Sequence, residues 1–246
     1  MENNVALVIG GSGDIGIETA KVLFGKGMDV CISYHSSEDE TKNKLDIMGL
    51  KDLKLYKFDM NNEELINNSM ASILNEHKKI DVVVYCVSMP IINKKIQELT
   101  WKDFQDHIDV QVKGLFTIIK TLSPLINGNH RIKFIVVLTE YVIGKPPIML
   151  SHYITAKYGL MGFVKCMAAE LAKNNCTFNM VSPGMVNTSL LSNLPKKLIE
   201  MVAYNNPMKR IAEPVDVAKV ILFLASEDSD YLNGANILIN GGNVFI

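Results

Sequence analysis

The sequence predicts an α/β fold in which a parallel sheet carries helices on both faces, and three observations predict it. Short β-branched runs alternate with segments of helical period along the 246 residues, the βαβ rhythm of parallel sheets. The runs are apolar on both faces, so each strand is expected to be covered from either side. A glycine-rich turn, Gly10-Gly11-Ser12-Gly13-Asp14-Ile15-Gly16, stands between the first run and the first helical segment.

Taken in order, Val5 to Gly10 is the first expected strand, and its glycine turn opens a helix over 14–26. Asp29 to Ser33 is the second strand, followed by interleaved polar and apolar residues over 37–48 that read as a helix. Leu53 to Phe58 is the third, closed by Asp59, with a helix over 62–77. Asp81 to Val84 is the fourth, Lys133 to Leu138 the fifth and Thr177 to Val181 the sixth, with long helical periods over 101–126 and 151–174 between them. Pro195 opens an amphipathic helix carrying Leu198, Ile199, Met201 and Val202. A last helix over 214–226 leads through Ser226 and Asn233-Gly234 to the seventh strand, Asn236 to Ile239. No repeat, low-complexity tract or linker composition interrupts residues 1–246, so a single domain is expected.

Composition excludes several functions. Twenty-five Lys and Arg against 26 Asp and Glu give a net charge of -1, and no block of one sign marks a nucleic-acid or acidic-lipid surface. The longest apolar stretches, Phe134 to Leu138 and Val217 to Ala225, are too short to span a bilayer. The start, Met1-Glu2-Asn3-Asn4, lacks a basic region and cleavage-type residues, so a cytoplasmic protein is expected. Cys31, Cys86, Cys166 and Cys176 and the five scattered histidines have no ligand spacing, and no metal is expected. Asn67-Asn68-Ser69 and Asn187-Thr188-Ser189 match a glycosylation pattern that carries no weight without secretion.

The glycine turn sits where backbone NH groups and a helix dipole receive a pyrophosphate. Gly10, Gly13 and Gly16, with Ser12, Asp14 and Ile15 among them, read either as G-x-G-x-x-G or as a pattern in which Asp14 takes a middle glycine's place. At the end of the second strand, Ser33-Tyr34-His35-Ser36-Ser37 offers no carboxylate before Glu38 for the ribose hydroxyls. The hydroxyls of this stretch, its helix-start NH groups and a protonatable His suit a 2′-phosphate, so NADP(H) is expected over NAD(H), with Tyr34, His35 and Ser36 facing it. Asp59, followed by Met60, is placed to accept the adenine amino group, although an Asp there also caps the following helix.

Tyr153 and Lys157 lie four residues apart, which on a helix puts phenol and ammonium on one face. A free phenol titrates near pH ~10, and a fixed positive charge favours its phenolate by about 1.4 kcal/mol per pKa unit. The same spacing also arises on exposed helices with no function; its place far downstream of the glycine turn marks it as a proton donor to a carbonyl oxygen.

With these motifs the chain resembles the short-chain dehydrogenase/reductases, specifically the single-domain type to which 3-oxoacyl-[acyl-carrier-protein] reductases belong. The resemblance covers nearly the whole length. It adds Phe178 to Thr188, Pro207 to Pro214, Asn233-Gly234 and Gly241-Gly242 to the motifs above. It implies a doubly wound Rossmann domain with sheet order 3-2-1-4-5-6-7, with the nicotinamide held by Pro183, Gly184, Val186 and Thr188. It also implies that Lys157 binds the ribose hydroxyls, that a segment at about 189–206 covers the substrate, and that 101–126 and 151–174 pair across two-fold axes of a homotetramer.

Departures gather at the chemistry. Where the family has Asn-Asn-Ala-Gly, this chain has Tyr85-Cys86-Val87-Ser88, a bulkier loop toward the cofactor. The catalytic Asn position falls on Gln111, which keeps the amide, adds a methylene and is expected to hold a relay water. The catalytic Ser position falls on Glu140, with Thr139 just before it, and no serine lies between Ser123 and Ser151. Either Thr139 supplies the hydroxyl from a shifted loop, or Glu140 faces the site and raises the Tyr153 pKa by like-charge repulsion, or Glu140 is a solvated loop carboxylate. Arg131 falls where related reductases carry a carrier-docking base, while Asn174 occupies another such place. The expected function is an NADP(H)-dependent carbonyl reductase, with a 3-oxoacyl thioester as one candidate substrate. Its rivals are a catalytically weak dinucleotide-binding scaffold and an enoyl reductase, the latter disfavoured by the short Tyr153 to Lys157 spacing.

Overall fold

The computed structural model describes Met1, residues 4–192 and residues 194–245. Glu2 and Asn3 of the N-terminal stretch, Asn193 of the covering segment and Ile246 lie outside the described residues. Seven strands form one sheet: β1 (Val5–Ile9), β2 (Asp29–Tyr34), β3 (Lys54–Lys57), β4 (Val82–Tyr85), β5 (Ile132–Val137), β6 (Cys176–Pro183) and β7 (Asn236–Ile239). Their order is β3-β2-β1-β4-β5-β6-β7 and every pairing is parallel. This is the doubly wound order expected from the sequence.

Two apolar layers explain why the inner strands lack an alternating pattern. Every residue of β1, β4 and β5 is buried. On one face Leu7, Ile9, Val83, Phe134 and Phe178 pack under α3 (Glu63–His77), α5 (Gly114–Thr121) and α7 (Ser151–Leu171). On the other, Ala6, Val8, Val30 and Val181 pack under α1 (Asp14–Phe24), α2 (Glu38–Ile47) and α9 (Pro214–Ala225). The edge strands β3 and β7 have no fully buried residue.

The long helix expected over 101–126 is broken. It runs as α4 (Trp101–Ile108), a π-helical turn Asp109–Lys113, α5, and then α6 (Ser123–Asn127). The cause lies in the sheet: the Tyr85 hydroxyl donates to Val110 O at 2.5 Å, taking up a helix carbonyl inside the turn. Gly114 lies so close that a Cβ there would sit 2.5 Å from the Tyr85 hydroxyl. The segment after Thr188 is likewise divided, into a 3-10 turn Ser189–Leu191 and α8 (Lys196–Asn205), with Pro195 as the N-cap. The cap of α3 is Asn62, whose side chain accepts from Leu65 N at 3.0 Å, so Asp59 does not cap that helix. Asp59 instead accepts from Asn61 N at 2.9 Å in a local turn.

Candidate active site

The sheet order reverses between β1 and β4, and the crevice at the carboxyl ends of these strands is where open α/β sheets bind ligands. A cleft of about 430 Å³ lies there, lined by the glycine turn, Tyr34 and His35, Asp59 to Asn61, Cys86 to Pro90, and Thr188 to Leu190. Gly10 has a φ of +78°, and a Cβ on it would meet the Cys86 carbonyl carbon at 2.9 Å; only glycine lets the turn pass β4 so closely. A Cβ on Gly16 would sit 2.3 Å from Gly10 O, whereas one on Gly13 would meet only Gly10 O at 3.4 Å. Gly13 therefore leaves backbone open to a ligand. The N-cap of α1 is Gly13, with no side-chain cap, so the first-turn NH groups of Asp14, Ile15 and Gly16 stay available to an anion. The residues fit a dinucleotide pyrophosphate in every respect but one. The Asp14 carboxylate stands at this end and accepts from Ser189 N at 2.6 Å and Ser189 Oγ at 2.7 Å, tying the covering segment to the glycine turn.

At the end of β2, Tyr34 donates its hydroxyl to Glu38 at 2.8 Å, and Lys42 pairs with Glu38 at 2.6 Å. The first acid after the strand is thus already engaged, and Lys42 holds its carboxyl below the usual range. The His35 side chain is exposed, 3.8 Å from Asp59. Ser33 lies beneath the turn, its Oγ accepting from Gly10 N at 2.8 Å. Ser36 is exposed beside Ser37, whose side chain caps α2. Lys44 reaches back from α2 and donates to Ser12 O at 3.3 Å.

Tyr153 and Lys157 are both buried in the first half of α7. Lys157, 2% exposed, donates to Val137 O at 2.9 Å and lies 5.9 Å from the centre of the Tyr153 ring. Burial lowers the lysine pKa to about 8. Burial also raises that of the Tyr153 phenol, against a lowering effect of hydrogen bonding with Thr139. The expected lowering of the phenol by Lys157 is not realised in this arrangement: the ammonium is turned to the Val137 carbonyl and acts on the Cys86 thiol, itself pushed up to about 12 by burial.

Thr139 and Glu140 part company. Thr139 caps the 3-10 turn Glu140–Val142, its Oγ accepting from Tyr141 N at 3.5 Å, and hydrogen bonding with it lowers the pKa of the phenol. Glu140 is only 4% exposed, and both its oxygens accept from Asn243 Nδ2 at 3.1 Å. It lines a separate cavity of about 350 Å³ with Gly184, Asn240 and Arg210. The expectations of a solvated Glu140 and of a Glu140 facing Tyr153 are both corrected: the C-terminal turn draws the carboxylate behind the catalytic loop. Gly184 turns the same way, and a Cβ on it would lie 3.2 Å from Glu140 Oε1. Pro183 ends β6, Val186 bridges to Ala212, and Thr188 alone of this group lines the dinucleotide cleft.

Gln111 lies in the π turn, 0% exposed. Its Nε2 is 3.2 Å from His107 Nδ1, while its Oε1 has no partner among the described residues. The His107 ring stands edge-on to Tyr153 at 5.9 Å and to His152 at 4.9 Å. Sequence reasoning missed His107, His152, Lys44, Ser189 and Asn243. The four-residue spacing of His107 and Gln111 and the adjacency of His152 to Tyr153 and of Ser189 to Thr188 were the local signals available; Lys44 and Asn243 meet the site only across the fold. No cluster of three potential metal ligands occurs among the described residues, and no described helix is long and apolar enough to cross a membrane.

Residues 11–243 match the model of a protein family described as enoyl-(acyl carrier protein) reductase. A 3-oxoacyl-[acyl-carrier-protein] reductase of Staphylococcus epidermidis is 28% identical over 98% of both chains. An acetoacetyl-CoA reductase of Shinella zoogloeoides is 28% identical over 99% of this chain and all of its own. One from an Acinetobacter species is 27% identical over 98% of both.

Proposed function

Because the chain belongs to the short-chain dehydrogenase/reductase family, we propose that it is an NADP(H)-dependent reductase of a 3-oxoacyl thioester with Tyr153 as proton donor. The carrying observation is that Tyr153 lies with Lys157 and Thr139, and that the Lys157 charge acts on Cys86, which lines the cleft of about 430 Å³. Relatives that are reductases of 3-oxoacyl and acetoacetyl thioesters favour ketone over enoyl reduction, as does the four-residue Tyr-Lys spacing.

When bound, the nicotinamide supplies hydride to the carbonyl carbon. The Tyr153 phenol donates its proton to the carbonyl oxygen, and burial keeps that proton in place until it is needed. Thr139 donates a hydrogen bond to the same oxygen. Lys157 supplies the positive charge of the site and binds the ribose hydroxyls; Gln111 holds a relay water. The glycine turn would hold the pyrophosphate; Met60, Cys86, Val87 and Ser88, which line the cleft, would adjoin the adenosine and ribose, and Thr188 would hold the carboxamide. Lys44, His35 and the NH groups around Ser36 receive the 2′-phosphate, a reading supported by the engagement of Glu38 by Tyr34 and Lys42. The apolar segment 189–206 covers the acyl portion.

A homotetramer follows from the same family. Phe116 is half exposed and meets Phe163 edge-on at 6.5 Å, and nothing lies within 4 Å of a Cβ added to Gly162. That leaves an apolar helical face with room for close approach. Arg131 is ion-paired with Asp230, so carrier docking through it competes with that pair. A dinucleotide-binding scaffold is the second reading, favoured by Asp14 in a glycine's place and by the withdrawal of Glu140.

The deciding experiment is reduction of acetoacetyl thioesters with NADPH and with NADH, alongside Tyr153→Phe. Wild type should turn over best with NADPH, and Tyr153→Phe should lose more than about tenfold in kcat, roughly 1.4 kcal/mol of transition-state stabilisation, while still binding cofactor. Cofactor binding without turnover of any ketone would leave the scaffold.

A further inference from the structure

His107 and His152 lie beside the proposed catalytic group yet have no part in the chemistry given above. His107 projects from the last turn of α4, buried, with Nδ1 3.2 Å from Gln111 Nε2. Gln111 Oε1 and His152 Nδ1 are both buried and without a partner among the described residues. The Gln111 amide therefore has one neighbour that can choose its orientation. A primary amide presents two donors at one end and an acceptor at the other, and a half-turn about its last bond exchanges them.

We propose that His107 is the positioning residue of this site: as the Nε2-protonated tautomer it accepts from Gln111 Nε2 through Nδ1, keeping Oε1 free as the acceptor within the site. The opposite tautomer would donate from Nδ1, turn the amide round and present NH2 in place of the acceptor. The surroundings favour the first arrangement. Gln111 Nε2, not Oε1, stands against His107 Nδ1 at 3.2 Å. Burial foremost, then the charges of His152 and Lys157, lower the His107 pKa to about 4, so the ring is neutral at pH 7 and a single tautomer can be held. The edge-on contact with Tyr153 lets the same ring brace the phenol.

This proposal rests on the carbonyl-reductase reading for its kinetic part only. Nitrogen-15 histidine spectra of the protein without cofactor should show His107 as the Nε2–H tautomer, and Gln111→Leu should shift its Nδ1 resonance by removing the hydrogen bond. In the thioester assay His107→Phe keeps a ring against Tyr153 but loses Nδ1; kcat should fall about three- to tenfold, the scale of one hydrogen bond, with KM little changed. His107→Asn, whose Oδ1 falls near the place of Nδ1, should recover most of that loss. In a Gln111→Leu background His107→Phe should cost nothing more, because the shared interaction is already gone. An Nδ1–H tautomer overturns the proposal, as does an equal loss from His107→Phe in both backgrounds. If His107→Phe does not fold, the tautomer and His107→Asn still decide. If wild type reduces no carbonyl compound, the functional reading fails while the spectra judge His107 independently.

Discussion

Lys157 holds its ammonium in a buried site where, among the described residues, its one hydrogen bond is to a backbone carbonyl, and the cost appears as a pKa lowered to about 8 from an ordinary 10.5. Below about pH 8 both folded and unfolded chains carry this proton. Between about 8 and 10.5 the folded chain releases it while the unfolded chain keeps it, so stability rises with pH through that window. Urea unfolding of wild type and Lys157→Met from pH 7 to 10.5 should give curves that diverge, wild type gaining on the variant above pH 8; parallel curves would show that the lysine is solvated. Ribose binding by the charged form should weaken over the same range. Tyr153 and Lys157 were legible because helical spacing fixes who shares a face, and Gln111 only because the family resemblance pointed to its position. The choice between Thr139 and Glu140 was not, because it depends on what draws the carboxylate away.

That agent is an element remote in sequence. The turn Asn240 to Asn243 follows the edge strand β7, and through Asn243 it satisfies both oxygens of a carboxylate at the start of the catalytic loop. Within the turn, Asn240 accepts from Gly242 N at 3.1 Å and donates to Val244 O at 2.9 Å, so the donor is presented by an ordered loop. Removing it leaves Glu140 buried without those bonds. Asn243→Ala should lower the unfolding free energy by about 1–3 kcal/mol, measured by urea denaturation. A change below 0.5 kcal/mol, roughly the scale of a neutral surface substitution, would mean that Glu140 has other support. The broken helix after Trp101 teaches the same lesson: its period is continuous in the sequence, yet the Tyr85 hydroxyl beneath it makes a π turn and carries Gln111 into the interior.

For the molecule as a whole, the face formed by Phe116, Phe163 and Gly162 sets the expectation of assembly. Sedimentation at micromolar concentration should find more than one copy of the 27.4 kDa chain per particle. Gly162→Arg, placing a long charged side chain where two helices would meet, should shift the population to smaller species without lowering monomer stability by more than about 0.5 kcal/mol, as expected at a site with open space around it. A stable wild-type monomer would refute the assembly.

The sequence by itself determined the strand count and the place of the glycine turn. Each follows from local quantities: apolar runs, helical period, and glycines where a Cβ would collide with Gly10 O or with the Cys86 backbone. Only the tertiary structure decided that Glu140 bonds to Asn243, that Asp14 clasps Ser189, and that His107 stands against Gln111 and Tyr153. Those outcomes depend on competition among polar groups for buried partners. The winner is set by which side chains the packed layers bring within about 3 Å, and for Asn243 and Ser189 no local pattern in the chain encodes that distance.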